Sequence, residues 1–432
     1  MAETKTIKEK TVELIDALKA TCQTSDLGEF ARGKSTHRPR NDKNLFEGGG
    51  YPLVQTGEIK EANLYITHHT QEYGEFGLQQ SKLWDAETLC ITIAANIAET
   101  ALLAYPMCFP DSVVGFKAYK EVSSEKFMYY VFDFIRNSIQ NAASGSTQDN
   151  INIDYLTSLD FKVPDKIAQD KMVELLSAID EKILMNSKIN DNLAYQLKDI
   201  YNYWFNQFDF PHNDKHQYKA DGGLMIWNDK IKRKIPAGWE IKSFGELCSL
   251  RNGINYDKSV EGDKMYRIIN VRNISSSDLI LNENDLDEIS LPQKQGNKYC
   301  VSENSIIVAR SGIPGATRIL QKPSSNIIFC GFIICCTPCD DIYKYYLMFY
   351  LKQLEGSAAT KTGGSILQNV SQDTLSNLPV PIPPQSLLRE FNQIVSQSLE
   401  LIHSNMQENT QLLKLRDWLL PMLMNGQATI SD

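Results

Sequence analysis

At 432 residues, with 42% hydrophobic and 22% charged side chains, the chain exceeds one ordinary domain and has the composition of a soluble globular protein. Its apolar runs fall short of the ~20 residues a membrane helix needs, and nine cysteines without framework spacing fit reduced thiols in a cytosol, not a disulfide scaffold. The net charge of −9 argues against a uniformly basic nucleic-acid coat, yet residues 32–43 and 228–234 are locally basic while 170–209 lean acidic.

Residues 1–20 are expected to form an N-terminal helix, helix-like from Ile7 to Ala20 and lacking a secretory apolar core. The stretch RGKSTHRPRNDK then places Arg32, Lys34, Ser35, His37, Arg38 and Arg40 on one Gly/Pro-bearing loop. Such a loop is either a solvated surface or a phosphate contact. Gly48 to Gly50 in EGGGY lack the G-x-x-x-x-G-K-[ST] pattern and read as a flexible loop. YPLVQTGEI ends a strand with Gln55, Thr56 and Glu58, types suited to base edges. Glu58-Ile59-Lys60 fits the acidic-x-Lys pattern of metal-dependent cleavage, but so short a pattern is common by chance. His68-His69 has no partner at metal or triad spacing and is expected in an exposed loop. LCITIAA and SVVGF are strand-like, so the first part of the chain reads as a mixed, mainly β domain. It closes on GSTQDNINIDYLTSLDFKVP. There Gly145, Ser146, Thr147 and Gln148 form a loop open to close phosphate approach, or one that merely fixes helix entry.

A long helix follows over 165–208. Leu176, Ile183, Asn190, Leu197 and Trp204 share one heptad position, and Met172, Ile179, Asn186, Leu193 and Ile200 share the other. The linker 209–236 contains NDKIKRK and runs into IPAGWE. Strand-like runs resume with YRIINV, SIIVAR and NIIFCGFIICC. Candidate contacts here are Arg251 and Asn252, then Asn270, Arg272 and Asn273, then Arg310 and Ser311 before GIPG. Cys330, Cys335, Cys336 and Cys339 lack the second hook of a zinc site and are expected as buried strand thiols. Lys361, Thr362, Gly364 and Ser365 lead a second Gly-Ser loop, and 384–425 forms a second long helix. Its heptad positions are Val395, Ile402, Asn409 and Arg416, and Phe391, Ser398, Asn405, Leu412 and Leu419.

The halves repeat. A shift of 219 lays Gly145 on Gly364, Asp154 on Asp373, Leu156 on Leu375, Pro164 on Pro383 and Asn186 on Asn405. Upstream, with drifting loop lengths, YPLVQTGEI matches YRIINVRNI, LGEF (27–30) matches FGEL (244–247), and Gly115-Phe116 matches Gly331-Phe332. Helices of roughly 35 to 38 residues would extend about 50–57 Å, too long to fold onto one small domain. Pairing them antiparallel buries both stripes and is expected to bring Asn186 to Asn405, with Asn190 and Asn409 in the same seam.

Two half-chain repeats, each closed by a G-S-x-x-x-N-[IV] loop, a proline-ended strand and a long helix, with I-P-x-G-W-E opening the second half, resemble the specificity (S) subunit of type I restriction–modification systems. The resemblance covers almost everything after about residue 20. The N-terminus departs from it, lacking its own P-x-G-W-E opening. The resemblance implies an α+β fold: target-recognition domains at 21–164 and 237–383, separated by helices 165–208 and 384–425 paired as a pseudo-two-fold antiparallel coiled coil. It implies a non-catalytic, cytoplasmic phage-defence subunit without membrane contact, reading a bipartite double-stranded DNA site. Two methyltransferase (M) subunits would dock on it for adenine methylation with S-adenosylmethionine. Restriction (R) subunits, where the system includes them, would use ATP and Mg. A self-sufficient DNA-modifying or cleaving enzyme and a coiled-coil protein scaffold are the competing classes.

Overall fold

A computed structural model describes residues 21–94, 96–144, 151–212, 216–256, 262–355 and 370–430. The expected helix over 1–20 lies outside them. The chain divides into two compact units, one comprising the residues up to Met185 together with those from Asn409 onward, the other Asn186–Glu408. No helix among the described residues is long and apolar enough to cross a membrane.

Unit 1 holds the strands β1 (Thr21–Gln23), β2 (Gly28–Arg32), β3 (Tyr51–Leu53), β4 (Tyr65–Ile66), β5 (Gln71–Tyr73), β6 (Leu83–Trp84), β7 (Leu89–Thr92), β8 (Thr100–Leu103), β9 (Met107–Cys108), β10 (Val113–Ala118) and β11 (Asp160–Lys162). They form sheets ordered β2-β10-β7-β8-β4 and β5-β3-β9-β6, plus the pair β1-β11. The helices are α1 (Thr56–Glu61), α2 (Glu75–Gln79), α3 (Glu125–Ser144), α4 (Ile153–Thr157) and the first part of α5 (Lys166–Tyr201).

Unit 2 repeats this plan. After two hairpins, β12 (Pro211–His212) with β13 (His216–Gln217) and β14 (Met225–Asn228) with β15 (Arg233–Pro236), come β16 (Glu240–Ser243), α6 (Phe244–Leu247), β17 (Cys248–Asn252), β18 (Lys264–Ile269), α7 (Val271–Ser275) and β19 (Asp287–Leu291). Then follow α8 (Gln293–Gly296), β20 (Ile306–Ala309), β21 (Thr317–Ile319), β22 (Ile327–Phe329), β23 (Ile333–Pro338), α9 (Lys344–Glu355), α10 (Gln372–Ser376), β24 (Pro379–Ile382) and α11 (Gln385–Met424). The sheets are β17-β23-β20-β21 and β19-β18-β22, with β16 paired to β24, so each strand from β16 to β24 has a counterpart in unit 1.

The hydrogen bonds fix the register of the repeat and correct two sequence matches. Gly33 N donates to Val113 O, as Gly253 N donates to Ile333 O. Gly115, opposite Ala31, therefore corresponds to Cys335, opposite Arg251, and not to Gly331. The two glycines answer different crowding: a Cβ on Gly115 would meet the Trp84 and Phe109 rings, and one on Gly331 the Asn255 side chain. Likewise Leu27 matches Leu247, not Phe244, because Thr24 N bonds Leu159 O as Phe244 N bonds Leu378 O. The downstream matches hold: Asn152 caps α4 as Ser371 caps α10, and Leu156 and Leu375 are fully buried behind them. Cys335 and Cys336 lie buried on β23 and Cys330 is buried just before it, whereas Cys339 is exposed. Burial drives the Cys336 thiol well above its usual range.

The long helices pair antiparallel inside each unit. In unit 1, Asn409 Nδ2 donates to Ile183 O (3.3 Å) and Arg416 pairs with Asp180 (2.9 Å). In unit 2, Asn405 Nδ2 donates to Asn190 Oδ1 (2.8 Å) and Asn186 Nδ2 to Glu408 Oε2 (2.7 Å). Both expected asparagines thus lie in the seam, Asn405 bonded to Asn190 and Asn186 to Glu408. Antiparallel register opposes positions whose numbers sum to a constant, so repeat-equivalent residues need not face each other. Leu176, Ile183, Leu197, Phe391, Val395 and Ile402 are buried along the stripe.

Arg416 occupies a heptad position that an apolar side chain would ordinarily take. Its guanidinium meets Asp180, whose other oxygen accepts from Tyr130 Oη (2.7 Å). Burial raises the Asp180 carboxyl above its usual range against the pull of Arg416. Its side chain is only 3% exposed, so removing the cation strands a buried anion. Arg416→Ala is expected to destabilise unit 1 by roughly 3 kcal/mol in urea unfolding near neutral pH. The loss should shrink as pH falls and Asp180 takes up a proton, because a raised folded-state pKa makes protonation favour the fold.

Candidate nucleic-acid interface

In unit 1 the basic loop springs from the end of β2. A Cβ on Gly33 would lie 2.2 Å from Pro110 O, so glycine lets the chain pass beneath the β9–β10 connection. That connection supplies Asp111. Its carbonyl accepts from Arg32 Nε (2.7 Å), and its carboxylate meets Arg40 (2.5 Å) and Arg38 (3.6 Å). Arg38 also donates to Ser35 O and His37 O, and His37 pairs with Asp42 (2.8 Å). The backbone N–H of Asn44, and then His37, hold the Asp42 carboxyl below its usual range. Lys34 is exposed beside them. Arg38 and Arg40 keep about half of their side-chain surface exposed (56% and 51%), so one carboxylate gathers two guanidinium groups, and its backbone carbonyl a third, while leaving a positive excess facing solvent. Nothing local in the sequence marks Asp111, 71 residues from Arg40, as their organiser.

The second matched element is the turn after β3 and β18. Gln55 and Asn270 are N-caps of α1 and α7, each closed by a reciprocal capping box. Glu58 Oε2 accepts from Gln55 N (2.7 Å), and its Oε1 accepts from Thr70 N and Oγ1. Asn273 Oδ1 accepts from Asn270 N (2.8 Å) while its Nδ2 donates to Asp285 O. Glu58 and Asn273, expected from sequence to meet bases, are therefore occupied in holding the turn, and Asn273 is buried. Thr56 opens α1, and Val271 opens α7. The cap side chains reach across to the antiparallel neighbour strand at the same rung. Gln55 Nε2 donates to Gln71 Oε1 (3.2 Å), and Asn270 Nδ2 to Asp287 Oδ2 (2.9 Å), with Arg272 also bound to Asp287. The backbone is shared and the tips differ: two neutral amides in unit 1, an amide, carboxylate and guanidinium in unit 2. Gln71 and Asp287 escape the sequence reading because only strand register brings them to the caps.

Other candidates divide. Arg251 is half-buried, donating to Lys298 O (2.9 Å) and Cys300 O (3.3 Å), because β17 places it beside that segment; Asn252 is exposed at the strand end. Arg310 reaches Val370 O and Gly331 O (both 3.3 Å), with Ser311 half-buried next to it. The Gly-Ser loops, with Gly145, Ser146, Thr147 and Gln148 in one and Lys361, Thr362, Gly364 and Ser365 in the other, lie outside the described residues. The residues that follow them are tethered to matching strand ends: Ile151 N bonds Ile93 O after β7, and Arg310 after β20 holds Val370. His68 is exposed in a loop as expected, whereas His69 beside it is half-buried between Tyr105 Oη (2.5 Å) and Glu72 Oε1 (3.1 Å). Among the described residues no group of His, Cys, Asp and Glu side chains is arranged to hold a metal ion.

Residues 20–195 and 236–413 each match the family described as "Type I restriction modification DNA specificity domain". The chain is 23% identical to the type I restriction enzyme MjaIX specificity subunit of Methanocaldococcus jannaschii, over 94% of this chain and 93% of that one. It is 25% identical to the type I restriction enzyme HindI specificity subunit of Haemophilus influenzae, over 67% and 73%. The fold is similar to the crystal structure of the type I restriction-modification S subunit from M. genitalium, with a TM-score of 0.54 at 16% identity over 95% and 96% of the two chains.

Asp111→Ala removes the anion that gathers Arg38 and Arg40. Amides of 34–42 should then exchange with deuterium about tenfold faster, while those of β10 keep their protection.

Proposed function

Since the chain belongs to the type I restriction modification DNA specificity family, we propose that its two units read the two halves of a bipartite double-stranded DNA site and that its paired helices set the spacing between them. Specificity subunits are non-catalytic DNA-recognition components, and this chain is one of them. In our reading Arg32, Lys34, Arg38 and Arg40 contact phosphates around unit 1, where they fix orientation but carry no sequence information. The Gly-Ser loops, at Gly145 and Gly364, offer backbone N–H donors to the same strands. Base discrimination falls to the rung of Gln55 and Gln71 in unit 1 and of Asn270, Arg272 and Asp287 in unit 2. The observation that carries this reading is the repeated capped turn with divergent tips. Gln and Asn suit adenine, Arg suits guanine, and Asp accepts from the cytosine amino group.

Helices with a rise of 1.5 Å per residue convert residue count into distance, and sites on one DNA face recur about every 34–36 Å. Two methyltransferase subunits, carrying S-adenosylmethionine, would dock along the helix pair and methylate adenine. Restriction subunits with ATP and Mg would join where the system encodes them, in the cytoplasm, as defence against phage.

Co-expression with the methyltransferase subunit and methylome sequencing tests the reading. Replacing residues 21–164 by those of a relative should change one half-site and leave the other intact. A methylated motif that changes in both halves, or methylation by this chain alone, would overturn it. The combined substitution Gln55→Ala with Gln71→Ala should relax one half-site by about 1–3 kcal/mol, five- to 150-fold in preference. Arg40→Ala should instead weaken binding evenly across sequences and reduce the salt slope by about one.

A further inference from the structure

The internal repeat says what belongs on a surface of unit 1. A groove of about 330 Å³ there is lined by Phe127, Val131, Phe134, Ile135, Phe161 and Met424. Its walls are α3, β11 and the last turn of α11, whose repeat counterparts in unit 2 are α9, β24 and the end of α5. In unit 2 the counterparts of Phe127 and Met424, Tyr346 and Phe205, are covered. The chain leaving α5 returns over them, and Phe208, Phe210 and Trp239 join Phe205 and Tyr346 in one buried cluster. The Trp239 ring lies 5.3 Å from Phe208, 5.6 Å from Phe210 and 6.2 Å from Phe205, and Phe205 lies 4.9 Å from Tyr346. Trp239 directly precedes β16, the strand paired with β24.

The segment that precedes the corresponding strand of unit 1 is residues 1–20. It enters β1 at Thr21, which is in register with Lys162 of β11, and Cys22 is opposite Phe161. Phe161 and Lys162 both line the groove, so the segment begins at its rim. The sequence of that segment has a matching stripe. Ile7, Leu14, Ile15 and Leu18 recur at i, i+7, i+8 and i+11, with Glu9, Glu13 and Asp16 on the other side of a helical wheel and Lys8 and Lys19 at its flank. As a helix, Ile7 to Ala20 would extend about 21 Å, enough to span the roughly 14 Å of α3 from Phe127 to Ile135 that lines the groove. From the C-terminal side, Ala428 and Ile430 pack against the same core and are not part of the groove's lining.

We propose that residues 7–20 of this chain dock as an amphipathic helix in the groove of unit 1, with Leu14, Ile15 and Leu18 taking the role that Phe208, Phe210 and Trp239 play in unit 2. The departure at the N-terminus is then a different solution to the same packing requirement. The inference does not depend on how either unit meets DNA.

Hydrogen–deuterium exchange on the full chain, on a chain starting at Thr21, and on full-length Leu14→Glu with Leu18→Glu tests it. Both variants should raise exchange about tenfold or more at 127–135 and 160–162 and leave 344–355 unchanged. Should the truncated chain fail to fold, the doubly substituted chain, checked by circular dichroism, decides the matter. Unchanged exchange at 127–135 in that variant would overturn the proposal. So would protection that appears only on adding the methyltransferase subunit, or that scales with chain concentration, since the occupant would then be a partner or a second copy.

Discussion

Everything in this molecule follows from the length of two amphipathic stripes. A helix of 36 residues such as α5, or of 40 such as α11, carries more apolar surface than one small β-rich domain can cover. Each helix therefore gives part of its stripe to one unit and the rest to the other. Unit 1 cannot be completed until the C-terminal residues from Asn409 onward arrive, and unit 2 needs the helix that closes the first repeat. Polar residues set the register within this seam. Asn405 with Asn190, Asn186 with Glu408, and Arg416 with Asp180 each have partners in only one alignment of the helices, whereas leucines would tolerate a slip of one turn.

On this frame, the parts that hold the turns and the parts that face solvent are different side chains. Glu58 and Asn273 bond the first backbone N–H of their turns, and Gly33 and Gly253 allow the same close passage under the neighbouring strand. The tips at Gln55, Gln71, Asn270, Arg272 and Asp287 interact with one another across a rung and contribute little to the core. Asp111 acts similarly in unit 1, turning a basic stretch with a flexible composition into a defined array of guanidinium groups.

The large-scale plan was legible because it is written in periodicities. Sevenfold spacing marks the long helices, and the 219-residue shift marks the duplication, since both leave traces over dozens of positions. Register inside the β-rich parts was less legible. Gly115 and Gly331 look equivalent as letters, yet one makes room for Trp84 and Phe109 and the other for Asn255, and only strand pairing separates them. Site residues were legible as types but not as partners. Arg38 and Arg40 stand out in the sequence, whereas the carboxylate that orients them comes from a distant connection. Glu58 looked like a reader because a carboxylate at a strand end has two uses, and the sequence does not distinguish capping from contact.

The reciprocal capping boxes have one more implication, which concerns heredity. Because Glu58 and Asn273 secure the backbone without help from the rung, a replacement at Gln71 or Asp287 alters exposed chemistry at little cost to folding. A lineage carrying this scaffold can accumulate variation at those tips while the protein stays above its stability threshold. The two copies are free to diverge independently, so a single duplicated gene holds two separately mutable alphabets.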